Sequence, residues 1–172
     1  MDFLSLAKQR CSMREFKDIQ VESEKLDKIL EAAHVAPTAA NMQSQRLLVV
    51  KSDEGLGKLS KAVNFHGAPL AIIVCGDYSE AFVRPFDQKN MAVIDATIVA
   101  DHIVMEAEDL GLSSCWMTLF RPDVVREEFN IPVEMEPVAI IAIGYANVQK
   151  ASADRHLYDR KSISEIVFSE TF

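Results

Sequence analysis

Leu70-Ala71-Ile72-Ile73-Val74-Cys75 is an unbroken apolar run with β-branched residues at its centre. A strand with one face in water alternates apolar and polar residues, so a run without alternation reads as a strand buried on both faces. Such a strand needs a covering layer on each side. Leu47 to Val50 is a second run of this kind, and Val138 to Tyr145 is a third. The covers are helical patterns. Phe3 to Gln9 places Phe3, Leu6 and Ala7 on one side of a short helix, and Ser23 reads as the N-cap of the next, with Val21 just ahead of it. Leu26, Ile29, Leu30 and Ala33 follow at helical spacing until Pro37 ends the run. Asp53 to Ala62 is a further helix, so Gly55-Leu56-Gly57-Lys58 reads as a turn and helix start; it lacks the spacing of either nucleotide-binding fingerprint. The longest helix runs from about Asn90 to Leu110, with Met91, Ile94, Ile98 and Met105 in register and Gly111 as its C-terminal cap. Arg121-Pro122-Asp123 opens the last, which ends at Phe129, with proline where a helix accepts it. Strands and helices in this mixture give an α+β or α/β domain with a central sheet flanked by helices.

Composition limits what the domain can do. A chain of 172 residues with 49% hydrophobic content fits one domain, spanning residues 1–172, without linker or repeat. A domain of this size buries about two-thirds of its unfolded surface. The net charge of -8 excludes the broad basic face that nucleic acid or an anionic membrane requires, so any anion site must be local. No apolar run approaches the roughly 20 residues of a membrane span, and MDFLSLAKQR lacks the apolar stretch of a signal peptide; the expected location is the cytoplasm. Cys11, Cys75 and Cys115 are odd in number and lack CxxC spacing, so neither a disulfide framework nor a metal site is expected.

The chemistry-bearing residues form a few short segments. In Arg10-Cys11-Ser12-Met13-Arg14-Glu15-Phe16 an extended backbone points Arg10, Ser12 and Arg14 one way and Cys11 and Met13 the other. Two guanidinium forks and a hydroxyl on one side make an anion cradle suited to a phosphate dianion. A second basic pair, Arg160-Lys161, opens the C-terminal stretch RKSISEIVFSETF. Ala36-Pro37-Thr38-Ala39-Ala40-Asn41-Met42-Gln43 follows the second helix, and Gly111-Leu112-Ser113-Ser114-Cys115-Trp116-Met117 follows the long one. His34, His66, His102 and His156 are scattered, and neither an HExxH metal motif nor a G-x-S-x-G nucleophile elbow is present. Asp95 and His102 interrupt the long apolar helix. His102 reads as a hydrogen-bonded core residue, whereas Asp95 is divided evenly between that reading and a place near a cofactor.

These segments, in this order and over essentially the whole chain, resemble the FMN-dependent nitroreductase family. The resemblance implies an α+β fold with a central mixed, mainly antiparallel sheet flanked by helices, in an intertwined homodimer with FMN at the subunit interface. It implies a cofactor site built from Arg10, Cys11, Ser12, Arg14, Pro37, Thr38, Ala39, Asn41, Gln43, Trp116, Met117, Thr118, Arg160 and Lys161. Arg10, Ser12 and Arg14, with the tail pair, would hold the phosphate; Asn41 and Gln43 suit the pyrimidine edge; the Trp116-Met117-Thr118 main chain would run along the ring near N5. No catalytic side chain and no metal is implied, since the flavin carries the chemistry. The implied activity is ping-pong transfer of hydride from NADH or NADPH to a flat electron-poor acceptor such as a nitroaromatic, a quinone or a free flavin. Two other outcomes keep the flavin: a protein of a different class, an FMN-binding carrier or sensor with negligible turnover, and a flavin-fragmenting or dehalogenating member of the same superfamily. A domain binding a different phosphorylated metabolite is the outcome without flavin.

The chain also departs from the family pattern. Ser44 and Gln45, followed by Arg46, stand where many relatives continue with proline and tryptophan, and Thr38 and Ala40 replace a frequent serine and glycine. Tyr78 to Gln88, with Phe82, Arg84 and Phe86, is the candidate pocket lid.

Overall fold

Four strands form one sheet in the order β1-β2-β4-β3, from β1 Gln45–Val50, β2 Leu70–Asp77, β3 Ser113–Met117 and β4 Met135–Gly144. The computed structural model describes residues 2–172. Every neighbouring pair of strands is antiparallel, and the only parallel contact among the described residues is an isolated bridge between Ser12 and Ser114. β2 is buried along its whole length, as its unbroken apolar run requires.

The two faces of the sheet carry separate cores. Leu70, Ile72 and Val74 of β2, with Ala139, Ile141 and Ile143 of β4, pack against α2 (Ser23–Val35) and α4 (Ala92–Asp109). Ala71, Ile73 and Cys75, with Ile140 and Ala142, face Leu59 of α3 (Asp53–Ser60), Val125 of α5 (Pro122–Phe129), and Met13 and Phe16 of the N-terminal segment. Helices on both faces thus bury what the strand pattern demanded. α1 spans Phe3–Gln9 and the short α6 spans Ile163–Ile166.

Three details differ from the sequence expectation. β1 is an edge strand, and on its second face only Val50 is covered while Leu48 is 37% exposed, so it is not buried on both faces. β3 is a strand that the pattern did not announce, because its polar start, Ser113-Ser114, hides the alternation. Ser23 is the first helical residue of α2 and not its cap; Glu22 holds the cap position without a side-chain capping bond, and its carboxylate accepts from the Tyr145 hydroxyl at 2.7 Å.

Other boundaries follow the expected physics. Gly111, with φ +75°, ends α4 in a Schellman arrangement: its N–H donates to Glu108 O at 3.0 Å and that of Leu112 to Ala107 O at 2.9 Å. Ser52 caps α3 by accepting from Gly55 N at 3.1 Å, so the Gly55–Lys58 stretch is helix and not a phosphate loop. At the far end of β2, a Cβ on Gly76 would stand 2.7 Å from the carbonyl oxygen of Ala92. Only glycine allows α4 to begin this close to the sheet.

Candidate active site

The cradle forms along the edge of β3. Met13 donates its N–H to Ser114 O at 2.9 Å, which fixes the segment in extended form beside the strand. Cys11 and Met13 are buried at 8% and 3% exposure, while Ser12 and Arg10 are half-buried and Arg14 is exposed. The alternation expected from the sequence is therefore present, and Cys11 can offer a ligand only its main chain. Both guanidinium groups make themselves felt at one thiol. Burial pushes Cys115 up from its ordinary value, and the charges of Arg14 and Arg10 pull it partly back.

β3 contributes main chain to the same place. Ser114 turns its carbonyl off the sheet towards Met13, and in an antiparallel edge strand residues two apart share that direction. The backbone polar groups of Trp116 therefore point off the sheet edge, and no backbone hydrogen bond outside the strand ladder engages them among the described residues. They face a cavity of about 440 Å³ lined by Arg14, Asn64, His66, Cys115, Trp116, Met117 and Thr118 together with Val63 and Leu119. A second cavity of about 300 Å³ adjoins it at Arg14 and is lined by Cys11, Ser12, Met13 and Glu15 with Val148, Gln149 and Ala151. Arg14 stands between the two spaces. Asn64 and His66 had no motif to mark them; a left-handed turn, with His66 at φ +62° and Gly67 at φ +71°, brings them to the cavity, and Asn64 Oδ1 accepts from His66 N at 3.0 Å.

The loop after α2 is held in a costly conformation. Ala40, Asn41 and Gln43 have φ of 51°, 55° and 54°, left-handed values that cost side-chain-bearing residues of order 1–3 kcal/mol each unless the surroundings impose them. Asp95, fully buried in the first turn of α4, accepts from Ala39 N at 2.8 Å and from the Ser44 hydroxyl at 3.2 Å. Thr38 Oγ1 accepts from Gln43 N at 3.0 Å. Arg46 donates to Gln43 O at 3.1 Å and to Gln45 O at 2.9 Å, and pairs with Glu80 and, at 3.5 Å, with Asp77. The loop exposes Pro37, Asn41 and Gln43, with Thr38 and Ala39 half-buried, and none of these residues lines the cavities beside Arg14. Ser44 and Arg46, on either side of Gln45, are thus members of the network that holds it.

The remaining expected residues lie farther out. Arg160 and Lys161 are exposed and engage no side chain by hydrogen bond or ion pair among the described residues. The cation of the tail that does reach the cradle is Arg155, which donates to Arg10 O at 2.6 Å and to Lys8 O at 3.1 Å. A lone arginine before the conspicuous Arg160-Lys161 pair carries no sequence signal of that kind. In the candidate lid, Phe82 is half-buried, Phe86 is 95% exposed and the Arg84 guanidinium is engaged by Asp87 at 2.7 Å. The three do not line the Arg14 cavity. His102 is hydrogen-bonded as expected, with Nδ1 2.9 Å from the Ile98 carbonyl of its own helix, but it is half-buried and lines a surface cavity with Phe3, Leu6 and Met105, so it is not the enclosed core residue the sequence suggested. No group of His, Cys, Asp and Glu among the described residues could hold a metal ion.

Known proteins share this architecture. The nitroreductase family model matches residues 7–65 and 57–145. A protein of Methanothermobacter thermautotrophicus named for NADH dehydrogenase/NAD(P)H nitroreductase is 33% identical over 169 residues, spanning 93% of this chain and 85% of that one. The crystal structure of a nitroreductase family protein from Clostridium difficile 630 superposes with a TM-score of 0.98 at 48% identity, with both chains fully covered. An FMN-dependent nitroreductase from Clostridium difficile R20291 superposes with a TM-score of 0.80 at 30% identity over 99% of this chain and 100% of that one. With the extended cradle, the open strand edge and these likenesses together, the chain belongs to the nitroreductase family.

Proposed function

We propose that residues 1–172 form a single FMN-binding domain that acts, as a homodimer, in an NAD(P)H oxidoreductase reducing a flat electron-poor acceptor by a ping-pong mechanism. The observation that carries this reading is the bond between Met13 and Ser114, which sets an anion cradle beside the open edge of β3. The names of the relatives support both the cofactor and the donor.

The residues fit FMN on their own chemistry. Ser12 offers a hydroxyl at the smaller cavity, half-buried Arg10 is two residues before it without lining that space, and Arg14 can serve either that phosphate end or the larger cavity it also lines. The larger cavity supplies what a flavin ring needs at its polar edges: the outward main chain of Trp116 and the side chains of Arg14 and Asn64. When bound, the flavin supplies the hydride chemistry. The protein's tasks are to hold and orient it. Trp116 offers a main-chain donor towards the ring edge, where such a group strengthens as charge develops. Buried Cys115 and Met117 close the floor behind it. Asn41 and Gln43, both exposed, with the Gln43 amide donating to Asn41 O at 3.2 Å, are available to the flavin of a second copy. The tail supports the dimer: Ile163, Ile166, Val167 and Phe168 are exposed on one protomer, an apolar stretch that calls for a cover.

Initial rates over a grid of donor and acceptor concentrations test the mechanism. Parallel double-reciprocal lines are expected with menadione as the quinone acceptor; intersecting lines would refute ping-pong transfer.

A further inference from the structure

We propose that Asp95 is a positioning residue for the flavin: it holds the Ala40–Gln43 turn in its strained form, so that Asn41 and Gln43 meet the pyrimidine edge. The inference rests on the function proposed above and names how one part of that site is kept in shape.

The fold retains two unfavourable features at one spot. Asp95 is a fully buried carboxylate that takes part in no ion pair among the described residues, and burying such a group without a cation is costly. Beside it, Ala40 and Gln43 take left-handed backbone angles that such residues disfavour, flanking Asn41, which takes them at less cost. Neither feature adds apolar packing. Their connection is direct: one oxygen of Asp95 accepts from Ala39 N, on the N-terminal side of the turn, and the other accepts from the hydroxyl of fully buried Ser44, on its C-terminal side. The two oxygens of a single carboxylate thus bracket the strained residues. The anion is tolerated because it lies in the first turn of α4, where the helix dipole favours negative charge. α4 is itself seated against the sheet where Gly76 admits Ala92. Rigid helix, buried carboxylate and strained turn form one chain of support, and its outer end is two exposed amide side chains. Backbone strain maintained this way marks a preorganised ligand contact.

The experiment compares the full-length parent with Asp95→Ala, Asp95→Asn and Ser44→Ala by hydrogen exchange of residues 39–44 without ligand, and by FMN titration followed by flavin fluorescence and visible spectrum. Asp95→Ala is expected to speed exchange in that segment and weaken FMN binding by roughly tenfold or more, with a changed flavin spectrum. Asp95→Asn keeps the acceptor for Ala39 and should stay within about threefold of the parent, while Ser44→Ala, losing one bond, should fall between the two. A folded Asp95→Ala variant with parental exchange and FMN affinity overturns the proposal. Should that variant fail to fold, Ser44→Ala decides: parental exchange and affinity there overturn it equally. If the parent itself fails to bind FMN, the proposed function falls, whereas the exchange comparison still shows whether Asp95 holds the turn.

Discussion

Arg155 reaches back across the chain to donate to the carbonyl oxygen of Arg10 at 2.6 Å, which ties the start of the C-terminal segment to the entrance of the cradle. The same guanidinium also holds Lys8 O and Ser152 O, at 3.1 and 2.8 Å. It therefore fixes the direction of the Arg10 backbone and does so without touching the cavity. Arg155→Ala should lower stability by about 1 kcal/mol and weaken FMN binding severalfold. Thermal melts and FMN titration check this.

If Arg10 holds the phosphate as proposed, Arg10→Ala would remove a charge-assisted contact worth about 1.5–3 kcal/mol, so FMN should bind roughly tenfold to a hundredfold more weakly. Arg160→Ala tests the tail pair, whose side chains have no hydrogen-bond or ion-pair partner among the described residues. An equal loss in Arg160→Ala would place that residue on the phosphate, and an unchanged affinity would leave Arg155 as the tail's only cation at the cradle.

Gly76→Ala should destabilise the fold by about 1–3 kcal/mol, because the added carbon meets main chain of α4 that cannot rotate away. Urea titration measures the loss. FMN affinity should fall as well, since the displaced helix carries Asp95.

Acid should loosen the end of β2. The Ser79 hydroxyl, with help from Ser79 N–H and Arg46, holds Asp77 below its ordinary value of 3.8, against an opposing effect of burial. A depressed folded-state value means the unfolded chain binds the proton first, so this stabilisation is present above about pH 4 and is lost as pH falls through the folded value. Urea midpoints of the parent and Asp77→Asn should converge below pH 4 and separate above it; a constant difference from pH 7 to 3 would contradict the assignment.

Cys115→Ser should preserve turnover. Burial raises the thiol away from ionisation, and hydride transfer needs no thiolate. Steady-state rates with a saturating acceptor check this.

Much of this architecture could be read from the chain because burial leaves a strong pattern. The unbroken run of β2, the helical spacing of α4 and the alternation of Arg10, Ser12 and Arg14 each depend on local geometry alone. β3 escaped because a short strand beginning with two serines has no apolar signature, and its importance lies in a free edge that only sheet order defines. Asn64 and His66 arrive at the cavity through a turn with left-handed angles, and Arg155 acts through its reach across the fold. Asp95 was ambiguous for a related reason: a buried carboxylate looks alike in sequence whether it braces a loop or meets a ligand, and only the bonds to Ala39 and Ser44 decide for the brace.

The central claim is tested most directly by the anaerobic visible spectrum of the protein reconstituted with FMN, recorded before and after addition of NADH or NADPH. The account predicts a bound-flavin spectrum that bleaches with at least one donor and recovers on adding a quinone or nitroaromatic. Bound flavin that neither donor reduces would contradict the oxidoreductase reading, and failure to bind FMN would contradict the site itself.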